Sequence, residues 1–315
     1  MRKLLKIIGI ILLILIGIYL ISIPILRKKN AIPESVFFTP TPYIKEKIIT
    51  HIQSTRFSYI SADSLLHIAN KFISSTNKDS VTINGTAIIR DFKKLDNSTN
   101  AEYFIFKPQK IEKSGIFMMG NGFNIFKLID NLSELAKRNN TIIYVLNYNN
   151  YGHSTGLPDG FSQLKNNQEF YNFVNSTQKI DFIAGHSLGT AFSTKLAVDN
   201  KIPHLILLAG ASNVNDLVQH FKNQMNIFVR PYVNVDKLNH SGIAQIANSA
   251  ENIKHYYGNL LLIHGTGDSN LPYAMAEKLF KNCPSTNKEL ITIQNGEHDS
   301  PYLKENWEKL IQKLK

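Results

Sequence analysis

One short stretch, Lys179–Ala191, limits what this chain can fold into more than any other. It reads K-I-D-F-I-A-G-H-S-L-G-T-A, an apolar run that passes through a glycine-flanked serine into a helix-compatible segment. This order predicts a strand, a tight turn and a helix, with Ser187 at the apex and its side chain pushed out above the sheet edge. Gly185 and Gly189 stand two positions before and after the serine, where a side chain would collide with the crowded turn. Ser187 is therefore a candidate nucleophile, although the five letters alone would also fit a turn with a solvated serine.

The rest of the chain predicts the sheet to which this turn belongs. Beyond residue 110, strand patterns alternate with helical patterns, which indicates a mostly parallel sheet with helices on both faces. Two earlier strands, Ser80–Asp91 and Ala101–Lys107, read as an antiparallel hairpin, and together with six later strands they predict an eight-stranded sheet. We therefore predict one α/β domain over residues 80–315, in which residues 214–257 are a candidate thin lid. Ordinary helix packing explains the aromatic side chains of that segment equally well.

Polar side chains follow the strands at the edge where a site is expected. In open parallel sheets, sites form beyond the carboxyl ends of the strands. The loop after the strand ending at His264 contains Asp268, and the loop after the last strand contains His298. Taken singly, Asp268 reads as a helix cap and His298 as an exposed loop histidine. Together with Ser187 they place a nucleophile, a base and an acid at one sheet edge, which predicts covalent catalysis.

Three motifs resemble those of the α/β-hydrolase superfamily, over roughly residues 81–315. H-G-T-G-D-S-N-L-P (264–272) resembles the family pattern H-G-x-x-D-x-x-V-P. N-Y-N-N-Y-G-H-S-T-G-L-P (147–158) is similar to the D-Y-R-G-Y-G-x-S-x-G-x-P loop of the membrane-anchored ABHD-type serine hydrolases. M-G-N-G-F-N (119–124) resembles their H-G-N-A-G-N oxyanion segment. Met119 replaces the histidine, which removes a polar support of that loop and leaves its backbone donors intact.

The resemblance implies a catalytic triad in the chain order Ser187, Asp268, His298. His298 is expected to take the serine proton and to deliver it later to the leaving group. Asp268 is expected to fix the histidine tautomer and to stabilise the imidazolium. Asp299 is a rival for that role, but neighbours on one loop rarely face each other well enough to orient an imidazole.

The oxyanion hole is expected to consist of two backbone N–H groups. We assign the N–H of Leu188, directly after the nucleophile, and that of Asn121 in the first strand–helix loop. Gly122 is the alternative to Asn121. Tyr151 and His153 are either pocket-lining residues or ordinary surface loop residues.

The amino terminus predicts a membrane anchor. Ile7–Leu26 is an uncharged run of twenty residues, long enough to cross about 30 Å of hydrocarbon as a helix. A cleaved signal peptide is the competing interpretation, but the run is longer than a usual signal-peptide core and no A-x-A-like cleavage site follows. We therefore expect residues 1–30 to be an uncleaved single-pass membrane anchor and residues 31–79 to be a juxtamembrane linker with a packing helix. Basic residues flank both ends of the run, so the side of the membrane stays open.

The distribution of charge and the motifs that the sequence lacks exclude further classes of function. Of the 35 basic residues, six lie in Met1–Asn30, which has no acidic residue, so 29 basic against 24 acidic residues remain elsewhere and nucleic-acid binding is not implied. The sequence has no C-x-x-C or H-E-x-x-H motif, and Gly120-Asn121-Gly122 lacks the third glycine of a dinucleotide fingerprint. We therefore expect no metal and no cofactor. The single cysteine, Cys283, excludes an intramolecular disulfide.

The sequence thus predicts a membrane-anchored serine hydrolase that cleaves carboxylic esters or thioesters through an acyl-serine intermediate. An anchored domain meets membrane-borne substrates at a raised effective concentration, which favours lipid or acyl substrates. The expected partners are the membrane and an acyl ester or thioester. Three alternatives remain open, namely a catalytically silent binding module of this fold, an acyltransferase and a serine peptidase with the same triad.

Overall fold

The structure is a computed structural model that describes residues 2–29, 38–54, 58–95, 99–234, 242, 244 and 248–315. Within the first helix it describes the side chains of residue 8 and residues 11–26. The α-helices are α1 (Arg2–Lys29), α2 (Lys45–Ser54), α3 (Ala62–Ile73), α4 (Ile129–Arg138), α5 (Gly160–Thr177), α6 (Leu188–Asp199), α7 (Val214–Gln224), α8 (Ser249–Asn252), α9 (Tyr273–Asn282) and α10 (Lys304–Lys313). The strands are β1 (Asp79–Ile83), β2 (Thr86–Lys94), β3 (Asn100–Pro108), β4 (Lys113–Met118), β5 (Thr141–Leu146), β6 (Phe182–His186), β7 (His204–Leu208), β8 (Asn259–Gly265) and β9 (Lys288–Ile293).

The strands form one nine-stranded sheet in the order β1-β2-β3-β5-β4-β6-β7-β8-β9. The first three neighbouring pairs are antiparallel, and the pairs from β5–β4 onward are parallel. β5 is buried along its whole length, as expected for a central strand covered on both faces. The predicted α/β fold with a mostly parallel sheet is confirmed, whereas the predicted count of eight strands is wrong.

The additional strand comes from the stretch that the sequence pattern presents as one strand, Ser80–Asp91. It consists of β1 and β2, joined by a tight turn at Asn84 and Gly85. These two residues have φ angles of 49° and 84°, and two successive positive values are typical of a type I′ hairpin turn. An Asn-Gly pair between β-branched runs is the sequence signal for such a hairpin. Reading the stretch as a single strand misses it.

The helices pack so that the start of α6 lies at the carboxyl edge of the sheet. α6 contacts β4, β6 and β7, and it also packs with α5 and α8. α4 contacts β2, β3 and β5 and packs with α10. The helix that follows the serine turn is therefore held by three strands at once.

The segment before the sheet shares the main hydrophobic core. Phe38, Ile48 of α2 and Leu65 of α3 are buried in the same cluster as the central strands. Asp130 of α4 ties this segment down through its carboxylate, which accepts backbone N–H groups of residues 58, 59 and 60 at 2.8, 2.9 and 2.7 Å. The residues from Phe38 onward thus pack against the α/β domain.

The first helix touches the rest of the protein through two polar side chains. The Tyr19 hydroxyl donates to the carbonyl oxygen of Phe228 at 2.9 Å, and the Ser22 hydroxyl lies 2.7 Å from that of Tyr232. Among the residues that the structure describes, no helix is both long and apolar enough to cross a membrane. The predicted transmembrane helix is therefore not confirmed.

The structure describes part of the candidate lid, residues 214–257. α7 begins it, and a 3₁₀ helix at Arg230–Tyr232 follows. Residues 235–241, 243 and 245–247 of the predicted lid lie outside the described residues.

Candidate active site

Ser187 lies at the junction of a strand and a helix, as the sequence predicts. β6 ends at His186 and α6 begins at Leu188. Ser187 has φ 52° and ψ −120°, a strained conformation that a non-glycine residue rarely adopts and that is typical of a nucleophile turn. The Ser187 N–H donates to the carbonyl oxygen of Leu208 at 3.0 Å, which fixes the turn to β7.

The two glycines around Ser187 allow this turn to be built. A Cβ atom on Gly185 would overlap the carbonyl group of Gly189. A Cβ atom on Gly189 would overlap the carbonyl oxygens of Met118 and Met119. Because α6 packs this closely against β6 at Gly185 and against the end of β4 at Gly189, only glycine fits at either position.

The structure brings Asp268 and His298 together. His298 Nδ1 lies 2.8 Å from Asp268 Oδ2. Since an ionised carboxylate only accepts hydrogen bonds, Nδ1 carries the proton. In the neutral ring, Nε2 is then unprotonated and able to accept a proton. The His298 side chain is 16% exposed, so the ring is accessible from the surface.

The environment of Asp268 keeps its carboxyl group ionised. Burial alone would raise its pKa, but hydrogen bonds from His264, His298 and the Leu271 N–H outweigh burial and hold the pKa well below its usual range. Backbone N–H groups of Asn270 and Leu271 reach Oδ1 at 2.9 and 2.8 Å. Asp268 is therefore an anion whose orientation is fixed by four donors from its own loop, from β8 and from His298.

His264 supports this carboxylate from the end of β8. Its Nε2 lies 2.8 Å from the carbonyl oxygen of Leu271 and 3.3 Å from Asp268 Oδ2. Both neighbours are acceptors, so Nε2 carries the proton and His264 donates to the Asp268 loop. Its Nδ1 is buried without a hydrogen-bond partner among the described residues.

His186, directly before Ser187, holds the backbone of the His298 loop. Its Nε2 donates to the carbonyl oxygen of His298 at 3.2 Å, and the two rings lie 4.8 Å apart. Burial, together with the nearby His298, lowers the pKa of His186 to about 3. His186 is therefore an uncharged hydrogen-bond donor near neutral pH. It does not compete with His298 for a proton.

The His298 ring lies 4.8 Å from the ring of His186, the residue directly before Ser187. No hydrogen bond joins the Ser187 hydroxyl to the His298 ring within the part of the chain that the structure describes. Such contacts are often loose before substrate binds and tighten in the complex. Asp299, the rival acid, is 67% exposed and lies 3.6 Å from His186 Nε2, so His298 Nδ1 faces Asp268 alone.

The predicted oxyanion loop lies directly beside the serine. A Cβ atom on Gly120 would lie 3.3 Å from the Ser187 Cβ and 3.0 Å from His186 Nδ1. Among the described residues, the backbone N–H groups of Asn121 and Leu188 donate to no protein group. The alternative donor, Gly122, already directs its N–H toward the Tyr151 hydroxyl at 3.4 Å. This geometry favours Asn121 over Gly122 as the second oxyanion donor.

Met119 is buried, and a tyrosine supports its backbone. The Tyr148 hydroxyl donates to the Met119 carbonyl oxygen at 2.6 Å. The next tyrosine, Tyr151, donates to Asn121 Oδ1 at 2.9 Å and is itself buried. The His153 ring packs edge-on against Tyr43, with ring centroids 4.9 Å apart. Tyr151 thus contacts the oxyanion loop itself, and both tyrosines hold this loop from one side.

Several residues around the site were not singled out by the sequence analysis. His186 and His264 stand inside motifs that it quotes, at the last position of β6 and the last but one of β8, and this location is the signal that could have revealed them. Thr39 and Thr41 carry no such signal, because they contact the site from a distant part of the chain.

α7 lies next to the loop that carries Asp268. His220 Nε2 is 2.7 Å from the carbonyl oxygen of Ser269. Apolar side chains of α7 and the following segment are exposed nearby, namely Phe221, Met225, Ile227, Phe228 and Val229. Within the described residues, no group of three His, Cys, Asp or Glu side chains is arranged to hold a metal ion.

Comparison with solved structures confirms the α/β-hydrolase fold. Est1E from Butyrivibrio proteoclasticus, solved with ferulic acid bound, matches with a TM-score of 0.55 at 16% identity, covering 71% of this chain and 95% of Est1E. Mouse alpha/beta hydrolase domain-containing protein 10 matches with a TM-score of 0.55 at 16% identity, covering 71% and 96%. An esterase from Pyrococcus furiosus matches with a TM-score of 0.58 at 12% identity, covering 76% and 96%. At these identities the likeness establishes the fold alone. No family model and no curated protein matches the chain.

The geometry predicts a clear ranking of the two acids beside His298. Asp268→Asn removes the carboxylate that fixes the Nδ1–H tautomer, so we expect kcat to fall by about 10⁴-fold. Asp299→Asn alters an exposed group that does not bind the His298 ring, and we expect kcat to stay close to that of the wild type. The measurement is the turnover of p-nitrophenyl esters by both folded variants. If Asp299→Asn instead lowered kcat more than Asp268→Asn, Asp268 would not be the acid that orients His298.

Proposed function

We propose that this protein is a serine hydrolase that cleaves carboxylic esters or thioesters through an acyl-serine intermediate. The observation that carries the proposal is the pair of His298 Nδ1 and Asp268 Oδ2, 2.8 Å apart, beside a serine on a strained strand–helix turn. The fold adds support, because solved structures that share it include esterases. A buried carboxylate, an oriented imidazole and a half-buried serine are the parts that acyl transfer needs.

The proposed mechanism follows from the protonation states. His298 Nε2 takes the proton from the Ser187 hydroxyl as the serine oxygen attacks the carbonyl carbon of the substrate. Asp268 stabilises the imidazolium that forms, and the imidazolium then protonates the leaving alcohol or thiol. Water attacks the acyl-serine by the same route and releases the acid.

The negative charge that develops on the substrate oxygen is stabilised by the start of α6. The N–H of Leu188 lies at the helix amino terminus, where the helix dipole also favours an anion. The N–H of Asn121 supplies the second donor from the neighbouring loop. Removing one such donor in other hydrolases costs about 10²–10³-fold in kcat.

We further propose that the protein is attached to a membrane through α1 and acts on lipid or acyl substrates. The support is the apolar surface of this helix, whose exposed large side chains are Ile8, Ile11, Leu12, Leu13, Ile14, Leu15, Ile16, Ile18, Leu20, Ile21, Ile25 and Leu26. α1 contacts the segment after α7 at Phe228, and α7 itself contacts the Asp268 loop through His220; α7 and the segment after it both expose apolar side chains. An acyl chain that buries methylenes there gains about 0.8 kcal/mol for each one.

Labelling with a fluorophosphonate tests the proposed chemistry without knowledge of the substrate. The wild type should be labelled, and Ser187→Ala should stay folded, remain unlabelled and lose at least about 10⁴-fold in kcat. Circular dichroism supplies the control for folding. An unlabelled wild type would indicate a catalytically silent binding module, and a labelled Ser187→Ala variant would place the nucleophile elsewhere.

The proposed substrate class predicts how activity depends on acyl chain length. Because longer chains bury more apolar surface, kcat/KM should rise as the chain of p-nitrophenyl esters and acyl thioesters lengthens from two carbons. The series is measured with and without detergent micelles, which present the substrate at an interface. A sharp preference for acetyl esters that micelles leave unchanged would exclude lipid substrates and indicate a small-ester hydrolase.

The proposed attachment predicts what α1 contributes. A chain that begins at Ala31 should leave the membrane fraction and keep its reactivity with the fluorophosphonate, because the triad lies far from α1 in the sequence. The full chain should stay in the membrane fraction in high salt, since apolar burial is insensitive to screening. A shortened chain that remains membrane-bound in high salt would assign the attachment to another element, with the segment after α7 as the first to test.

A further inference from the structure

A short segment far from the triad in sequence lies across the oxyanion loop. Residues 38–43, which we call the strap, run toward α2 without regular structure apart from an isolated bridge between Pro42 and Gly152. The Phe38 ring is buried and packs against Phe192 of α6, with ring centroids 6.4 Å apart. The strap is therefore held against the helix that follows Ser187.

The strap binds the oxyanion loop through three hydrogen bonds. The Thr39 N–H donates to Asn121 Oδ1 at 2.7 Å, and Asn121 Nδ2 donates back to the Thr39 hydroxyl at 3.3 Å. The Thr41 hydroxyl donates to the carbonyl oxygen of Phe123 at 2.6 Å. Both ends of residues 121–123 are thus attached to the strap, which lies 82 residues earlier in the chain.

The same loop is also bound by the two tyrosines that follow β5. Tyr148 and Tyr151 donate to the Met119 carbonyl oxygen and to Asn121 Oδ1 at 2.6 and 2.9 Å. Asn121 Oδ1 therefore accepts one hydrogen bond from the strap and one from the tyrosine loop. With both donors in place, the Asn121 side chain has a single orientation.

The strap and the tyrosine loop are also joined to each other. The Gly152 N–H donates to the carbonyl oxygen of Thr41 at 3.0 Å. The Tyr43 hydroxyl donates to Glu102 Oε2 at 3.0 Å, and the same oxygen accepts the side-chain amide of Asn147 at 2.6 Å. Glu102 is fully buried, so these bonds fix the far end of the strap to the sheet.

We infer that Thr39 and Thr41 are positioning residues for the oxyanion hole. The inference rests on the proposed function, because it concerns the backbone donor of Asn121. An oxyanion donor acts only when its N–H points at the place where the charge develops, and a displacement of about 1 Å can cost about 10²-fold in rate. Among the described residues, no hydrogen bond or ring contact joins the strap to Ser187, Asp268 or His298, so it acts through the loop and not through proton transfer.

The test compares variants of the full-length protein that differ by one hydroxyl. Thr41→Val keeps the shape of the side chain and removes its hydrogen bond to Phe123, whereas Thr41→Ser keeps the hydroxyl. Thr82→Val is the matched control, because Thr82 is exposed on the edge strand β1. Asn121→Ala is a second variant, which removes the amide that Thr39 and Tyr151 bind and keeps the backbone N–H.

The measured quantity is kcat per active site. The number of active sites is counted by letting the fluorophosphonate label the protein to completion. Thr41→Val and Asn121→Ala should each lower kcat per labelled site by about 10-fold with little change in KM, since the oxyanion forms only after binding. The affinity for a trifluoromethyl ketone, which forms a hemiketal oxyanion on Ser187, should fall by the same factor. Thr41→Ser should restore most of the activity, and Thr82→Val should match the wild type.

The possible failures can be told apart. If either variant lowers the fraction of protein that is labelled but keeps the wild-type kcat per labelled site, the strap only stabilises the fold and the inference is overturned. A rise in KM with unchanged kcat would also overturn it, because that result assigns the strap to substrate binding. A wild type that is neither labelled nor active would instead overturn the proposed function, and the inference with it.

Discussion

The turn at Ser187 depends on the absence of side chains at Gly185 and Gly189, which lets α6 begin directly against the end of β4. At the apex of this turn Ser187 has a strained backbone with a positive φ of 52°. The predicted oxyanion loop also passes close to this turn, because a Cβ atom on Gly120 would lie 3.3 Å from the Ser187 Cβ. These close backbone contacts therefore fix Ser187, the candidate nucleophile, relative to the two predicted oxyanion donors. The strain in this turn is offset by the three strands that hold α6.

The parts of the fold that follow from local chemistry could be predicted from the sequence. The alternation of apolar runs gives the parallel strands, and the rule that sites form at their carboxyl ends selects the loops with Asp268 and His298. The structure then brings these two side chains within hydrogen-bond distance. The missed hairpin turn at Asn84 and Gly85 was also local, and its signal was present in the sequence.

Contacts between distant parts of the chain could not be predicted in this way. Thr39 and Thr41 carry no pattern that points to Asn121 and Phe123, because nothing in a single sequence records which side chains meet across 82 residues. The replacement of the family's histidine by Met119 suggested a loop that lacks a polar support. The structure instead supports the Met119 carbonyl through Tyr148, so the support comes from a neighbouring loop.

His186 also makes the stability of the folded protein depend on pH. Its ring is fully buried, and its pKa of about 3 lies below the value of 6.5 for a histidine in the unfolded chain. Between these two pH values the unfolded chain binds a proton at His186 and the folded protein does not, so the free energy of unfolding decreases as the pH falls. At neutral pH and above, both states leave the ring neutral and this effect vanishes. The side chain that anchors the His298 backbone thus couples the folding of the protein to pH, and a compartment that acidifies would destabilise the folded state through this one buried ring.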